Sequence, residues 1–412
     1  MQVTYTGTAT GSATTRPAFR GVVIASYDRT GHLRWVTRMG NAAQDPRTKE
    51  YQVASVQLAD GVLRVSGTSF AGMRNSLTPF ELVFGEGEPA ETRVALNECH
   101  QFGFIAELDP ATGQLIAGSV RINASERAVT SLQLRHNGND MGQAATDGAF
   151  MAGILMFGPP NTYLFNRGRT DELSVTTSTA IVAAFTRYTR QGALSWTRLA
   201  GNTTADMTLF STGISSDDAS VFSGNAGERA DFEDGTGVTN LAAGATAYLV
   251  RYDATGALLW LRGISGRGMF RLLIDDARQA IYALGDGTTD TVFGVGDADR
   301  VTFQAPGPFV ARFSLATGAL TWLRRVDAPS GGFASLALMD DELLASAQFG
   351  GPATFQPEQP EAVRVGSGGT WSGNARYNAD DGTFLGVTTY VVHTGVRTND
   401  GLAQGVVLDA PR

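Results

Sequence analysis

Apolar and polar residues alternate along most of the chain, and the alternation breaks every few residues at Gly, Asp or Asn. A period of two is that of strands with one face buried, while the 3.6-residue helical spacing is almost absent. Six segments share one pattern: VIASYDRTGHLRW (23–35), FIAELDPATGQLI (104–116), FTRYTRQGALSW (185–196), YLVRYDATGALLW (248–260), FVARFSLATGALTW (309–322) and NARYNADDGTFLG (374–386). In each, an alternating strand runs into a polar turn, then Gly, then x-Leu-x-Trp or a remnant of it. The turn glycines Gly31, Gly113, Gly192, Gly256, Gly318 and Gly382 lie 82, 79, 64, 62 and 64 residues apart. Trp35, Trp196, Trp260 and Trp322 each stand four residues after such a glycine. Asp shortly before Gly, between two apolar runs, is hairpin chemistry.

A second hairpin of smaller residues follows each of the first five units, as in SVQLADGVLRVSG to Gly67 and RLLIDDARQAIYALG to Gly285. Each unit therefore predicts at least four antiparallel strands, too few to bury both faces alone, and such repeats build propellers or solenoids. The ends of the chain favour the ring. Residues 401–412, read on into VTYTGTATG (3–11), rebuild the small-residue hairpin that the sixth unit lacks. The expected fold is all-β: one domain over 1–412, a six-bladed β-propeller of four-stranded blades, closed by the N-terminal strand completing the last blade.

Composition narrows the picture. Of 412 residues 50 are Gly and 14 Pro, with 42% hydrophobic and 17% charged, which fits a turn-rich folded protein and excludes collagen and low-complexity disorder. The net charge is −8, and Lys49 is the single lysine against 31 Arg, so no nucleic-acid or anionic-membrane surface is expected. No run approaches the ~20 apolar residues of a membrane span. Cys99 is the sole cysteine, which leaves no internal disulfide and no Cys-based zinc site. MQVTYTGTATGS at the start reads as a strand and lacks the features of a signal peptide. A cytosolic protein, or a mature or excised domain, is expected from that.

The pattern F-[VI]-A-x-[FY]-D-x-x-G-x-L-x-W, clearest in PFVARFSLATGALTW and TAYLVRYDATGALLW, resembles the SBBP-type β-propeller repeat of bacterial secreted and surface proteins. The resemblance spans nearly the whole chain and implies a propeller outside the cytoplasm, at the cell surface or secreted. Unit two, with Ala117 in the Trp slot, and unit six, with Gly386 there, depart from it. DATGALLW and LATGALTW also resemble the repeats of quinone-binding propellers, in which an Asp-x-x-Thr-Gly-x-x-x-Trp turn docks neighbouring blades. Those repeats are nearer 40 residues, and the longer period here favours the SBBP-type family.

Residues that carry chemistry are sparse. His32, His100, His136 and His393 are far from one another in metal-ligand terms, and no Gly-x-Ser-x-Gly elbow occurs. His32, in the first hairpin turn, is expected at the surface. Cys99 stands beside His100 in a polar loop with no dedicated base in view. Acidic residues recur at corresponding second hairpins: Asp60, Asp217 with Asp218, Asp275 with Asp276, and Asp340 with Asp341. These would be the Ca²⁺ ligands if the protein held a cation, though Asp in turns has an ordinary structural use. Arginines repeat as well, at Arg38, Arg198, Arg262 and Arg324 after the Trp, and at Arg187, Arg251, Arg312 and Arg376 in the strand before the turn. Repetition in most units points to scaffold, with Arg stems packed on Trp.

Function is then expected where the repeat is broken. The long segments are 41–52, 73–101 and 157–179. Their Phe80, Phe84, Tyr163, Phe165 and Arg167 are the candidate binding residues, since long loops on a rigid scaffold carry recognition. The expected role is a non-enzymatic extracellular or surface module that binds a protein or glycan partner within a larger assembly, with no cofactor. The alternatives are a carbohydrate-active propeller enzyme with paired carboxylates, and a quinone- or Ca²⁺-dependent dehydrogenase.

Overall fold

The computed structural model describes residues 4–390 apart from 7–11, 15–20, 29–31, 42–47, 60, 72–79, 97–100, 126–133, 136–149, 158–160, 178–180, 202–206, 228, 267–268, 289, 304–305, 358–361 and 367–369. Among the described residues every regular element is a β-strand, and the pairings are antiparallel. The strands form six successive sheets, plus one separate pair, Thr4–Thr6 with Ser12–Thr14.

Sheet four shows the plan. Ser211–Ile214 and Ser220–Asn225 form its first hairpin, Ala247–Tyr252 and Leu258–Ser265 its central hairpin, and Thr291–Phe293 and Val301–Phe303 its outer hairpin, side by side in that order. The order along the chain is different. Before the central hairpin of sheet four, the chain makes Asp231–Glu233 and Val238–Asn240, which are the outer hairpin of sheet three. The outer hairpin of sheet four is likewise made only after Met269–Asp275 and Ala280–Gly287, the first hairpin of sheet five. Each sheet thus receives its outermost strands from the segment that builds its successor. Among the described residues sheets two to five have six strands, not the four expected from the repeat, and sheets one and six have four. The extra strands escape a reading of the pattern because most run only three to five residues and sit one unit out of phase.

The central hairpins form as their sequence dictates. Asp253 Oδ1 accepts from the backbone N–H groups of Thr255 and Ala257 at 2.8 and 2.9 Å and from the Thr255 hydroxyl at 2.7 Å, which closes the turn. Gly256 follows with φ +83°, in the left-handed region that glycine enters without steric cost. A register shift recurs just before the turn, at Ser26/Tyr27, Arg187/Tyr188, Arg251/Tyr252, Arg312/Phe313 and Arg376/Tyr377. Such a bulge adds twist; the side chain after it is buried at Tyr188, Tyr252, Phe313 and Tyr377 and half exposed at Tyr27.

The sheets pack on one another in chain order, and the conserved spacing of Gly and Trp within the repeat explains how. Each of the four repeat tryptophans lies against the turn glycine of the next sheet: Trp35 on Gly113, Trp196 on Gly256, Trp260 on Gly318 and Trp322 on Gly382. The indole Nε1 of Trp35, Trp196 and Trp322 donates to the turn carbonyls of Pro110, Ala254 and Asp380 at 3.0, 3.0 and 3.1 Å. Two residues on, Arg198 and Arg324 donate through Nε to the Gly256 and Gly382 carbonyls at 2.7 and 2.9 Å, each guanidinium 5.7 Å from its Trp ring centre. Arg198, Arg262 and Arg324 are therefore bonded to carbonyls of the next sheet's turn, whereas Arg376 pairs with Glu342. In sheet one that place belongs to Thr37, whose hydroxyl donates to the Gly113 carbonyl, and Arg38 instead reaches Glu86 at 3.9 Å. Aromatic rings fill the space between sheets three and four, where Phe185, Phe222, Phe232, Tyr248 and Tyr252 pack at centroid distances of 4.4 to 6.4 Å.

Candidate functional site at the junction of sheets two and three

The junction of sheets two and three departs from this plan. Sheet two carries Ala117 where the repeat has Trp, and the residue that lies against the next turn glycine, Gly192, is Arg121. Its last central strand, Arg121–Ser125, starts beyond an extra stretch of chain, which displaces the plug from the position the repeat spacing predicts. Arg121 is buried. Its Nε donates to the Gly192 carbonyl at 2.8 Å and its Nη1 to those of Gly118 and Val120 at 2.6 and 3.1 Å. Around it stand further buried polar side chains. Asn123 Nδ2 donates to the Tyr188 hydroxyl at 3.0 Å, and Asn123 Oδ1 accepts the backbone N–H of Asn166 at 3.0 Å. Asn166, at φ +55°, donates to Asp171 Oδ2 at 2.7 Å and to the Gly192 carbonyl at 3.0 Å. Arg64, 1% exposed, meets Glu107 at 2.8 Å. Glu107 fills the strand position that holds Arg in units three to six, so sheet two inverts the charge there.

Electrostatics follow from this packing. Burial pushes the Tyr188 phenol up to about 12. Burial, and after it the charge of the neighbouring Arg169, lowers Arg121 from its ordinary value. Burial opposes ionisation of Asp171, but the Leu194 backbone N–H, the Asn166 amide and the Arg121 charge outweigh it and hold the carboxyl below the usual carboxylate range. The cluster bridges the two sheets with polar pairs, Asn123 to Tyr188 and Asn166 to the Gly192 carbonyl, but leaves Asn166 Oδ1 buried without a hydrogen-bond partner, where the neighbouring junction of sheets three and four packs aromatic rings.

The candidate residues taken from the long segments divide. Phe84, Tyr163 and Phe165 are 2%, 2% and 1% exposed and lie in the core between sheets, Phe84 edge-on to Phe104 at 5.4 Å. They are not a partner surface, because the long segments are outer hairpins whose alternate residues face the next sheet. Phe80 opens a strand, and its side chain lies outside the described residues. Arg167 sits in the outer turn of sheet two, at the rim of the polar junction, with its backbone N–H on the Ile122 carbonyl at 2.9 Å. Sequence reasoning missed Arg121, Asn123, Asn166, Arg169 and Asp171. The signal for them was the pairing of two irregularities in one unit, Ala117 for Trp and Glu107 for Arg.

The acidic turns are engaged by protein. Asp217 accepts from the Ser215 hydroxyl at 2.5 Å and pairs with Arg251 at 2.6 Å, and Asp276 accepts the Ser216 backbone N–H at 2.8 Å. Arg278 gathers Asp275 at 3.0 Å, Asp380 at 3.1 Å and Asp341. Asp218 and Asp340 hold turn positions at φ +63° and +52°, and Asp60 lies outside the described residues. Among the described residues no three His, Cys, Asp or Glu side chains converge as a metal group would need. His32 is at the surface, 3.4 Å from Asp28; Cys99, His100, His136 and His393 lie outside the described residues. A small hollow of about 10 Å³, no larger than a water molecule needs, lies between sheets four and five, lined by Arg262, Ile264, Phe293, Asp299, Phe313 and Leu320. Arg262 Nη1 pairs with both Asp297 and Asp299, at 2.7 and 3.1 Å.

No protein-family model matches the chain, and no curated protein sequence matches it. Among solved structures it is similar to the crystal structure of BamB from Moraxella catarrhalis, with 12% identity over 90% of this chain and 89% of that one and a TM-score of 0.31. That likeness is too slight to bear on function. Among the described residues no helix is long and apolar enough to cross a membrane.

Proposed function

We propose that the chain is a six-bladed β-propeller, closed through its N-terminal strand, that serves outside the bacterial cytoplasm as a non-enzymatic binding and structural module. One observation carries this reading. The sheets are locked to one another by repeated Trp and Arg docking, and one junction is rebuilt as a polar cluster with arginines at its rim. Scaffolds keep the symmetry of a repeat and recognition breaks it. The resemblance to SBBP-type repeats supports the surface or secreted location, and the partner is a protein or a glycan. The acidic side chains support the same reading, since those near the hollow and in the acidic turns are spent on arginines and backbone N–H groups. The test is a glycan array run beside a turnover screen on chromogenic glycosides and on dye-coupled alcohol oxidation. Saturable binding with no turnover is the expected result. Turnover of any substrate would overturn the reading in favour of a carbohydrate-active enzyme or a dehydrogenase.

A further inference from the structure

Five outer hairpins follow one rule of order. The segments 80–96, 161–177, 231–240, 291–303 and 353–365 each complete one sheet and then run, through three to six residues, into the central hairpin of the next. Four of them also share a register. An aromatic on the first strand stands opposite the residue four beyond the Trp: Phe84 opposite Met39, Phe232 opposite Ala200, Phe293 opposite Ile264 and Phe355 opposite Val326. In three, the residue after that aromatic donates its N–H to the central strand, Gly85 to the Arg38 carbonyl, Gly294 to Gly263 and Gln356 to Arg325, at 3.0 to 3.1 Å. Within the hairpin, Phe84, Phe293 and Phe355 each pair with the residue eight positions on.

Sheet six has no outer hairpin among the described residues, and its strand Phe384–Tyr390 is an open edge. One hairpin stands apart from the six sheets, Thr4–Thr6 with Ser12–Thr14. It runs through residues 15–20 into the central hairpin of sheet one, so in chain order it takes the part of an outer hairpin of the sheet before, which in a ring is sheet six. That connection of six residues equals 241–246, which joins the outer hairpin of sheet three to the central hairpin of sheet four. The register matches as well: Tyr5 pairs with Ala13, eight positions on. Tyr5 precedes Tyr27, the bulge residue of the next central strand, by 22 residues, as Phe355 precedes Tyr377.

We propose that the open edge of sheet six is the docking surface of the N-terminal hairpin, with Tyr5 opposite Tyr390, four residues beyond Gly386 in the Trp slot. This rests on the closed-ring reading and deepens it, naming the edge and the register at which the ring is clasped. It also changes the partner expected from the sequence: the hairpin completes the outer side of sheet six, not a small-residue hairpin shared between 401–412 and 3–11. An uncovered edge recruits strands from other molecules, and the chain's own hairpin removes it.

The test places cysteines in the full chain on a Cys99→Ser background. The register sets Thr6 opposite Thr389, and opposed residues of antiparallel strands have Cα atoms within disulfide reach. Thr6→Cys with Thr389→Cys is expected to form an intramolecular disulfide with oxidised glutathione, read by mass spectrometry of a non-reducing digest. Thr6→Cys with Leu385→Cys, displaced about 13 Å along the strand, is expected to cross-link at least about tenfold more slowly. Tyr5→Asp added to the first pair lowers its yield, while Tyr5→Phe does not, since the sister hairpins hold Phe there. Absence of the disulfide between positions 6 and 389, equal cross-linking of the two pairs, full yield in Tyr5→Asp, or a disulfide joining two copies would each overturn the proposal. If the cysteines fail to pair while the glycan array captures a ligand, the clasp falls and the binding-module reading stands. If they pair and a substrate turns over, the clasp stands and that reading falls.

Discussion

At the scale of single residues, the turn glycines and the plugs above them form one joint. A Cβ on Gly256 would lie 2.9 Å from Trp196 Cδ2 and 2.9 Å from Arg198 Nη2, and the φ of +83° is itself strained for an L-residue. Gly118 has a similar φ of +69° with nothing within 4 Å of an added Cβ. Gly118→Ala therefore carries the backbone cost alone, ~1–2 kcal/mol. Gly256→Ala adds overpacking against the indole and is expected to cost ~2–4 kcal/mol in all. Urea unfolding of the two variants side by side checks this, and equal losses would mean that the Trp contact adds nothing. Asp171 gives a second expectation. Its folded pKa lies below the ordinary carboxylate value, so its contribution is full above about pH 4 and is lost as the pH falls through the folded pKa. Asp171→Asn should flatten the acid limb of the stability profile below pH 4, seen as urea midpoints between pH 2.5 and 6 that converge with wild type at the acid end.

At the scale of elements, the sequence pattern was legible where strands are long and fully committed to the core. Tyr248 to Tyr252 is buried throughout, and its alternation with the Asp253–Gly256 turn was readable without coordinates. The outer hairpins were not. Val238–Asn240 and Val301–Phe303 have three residues each, too short for periodicity to show, and the chain reaches them after starting the next sheet. The same interleaving turned Phe84, Tyr163 and Phe165 from loop aromatics into core. Arg121 was hidden because the stretch after Gly113 shifts the plug off the repeat register, so spacing pointed to Ala117. Short, exposed edge strands also blunt edge-to-edge association and should open first. Hydrogen exchange is expected to order the strands of sheet four, with Val301–Phe303 fast and Ser220–Asn225 and Ala247–Tyr252 slowest. Equal protection of the outer hairpin would show that the sheet opens as one unit.

At the scale of the whole molecule, five of the junctions between successive sheets have the same design, a side chain of one sheet seated on the turn glycine of the next. A seam between sheet six and sheet one would be different, because the slot equivalent to Trp322 holds Gly386, which has nothing within 4 Å of an added Cβ. Among the described residues the N-terminal strand Thr4–Thr6 pairs with Ser12–Thr14 in a separate two-stranded sheet, so closure of the six sheets is a question for experiment. An open stack and a closed ring respond oppositely when the chain is rewired. Joining Arg412 to Met1 through a short Gly/Ser linker, and opening new termini between Thr203 and Thr204, leaves a ring with every sheet contact intact. In an open stack the same change forces two distant ends together and separates neighbouring sheets. The permutant is expected to fold with a thermal midpoint within a few degrees of the parent and a radius of gyration of about 22 Å, the size of a compact chain of this length. An insoluble or expanded permutant, alongside a well-folded parent, would show that the sheets do not close.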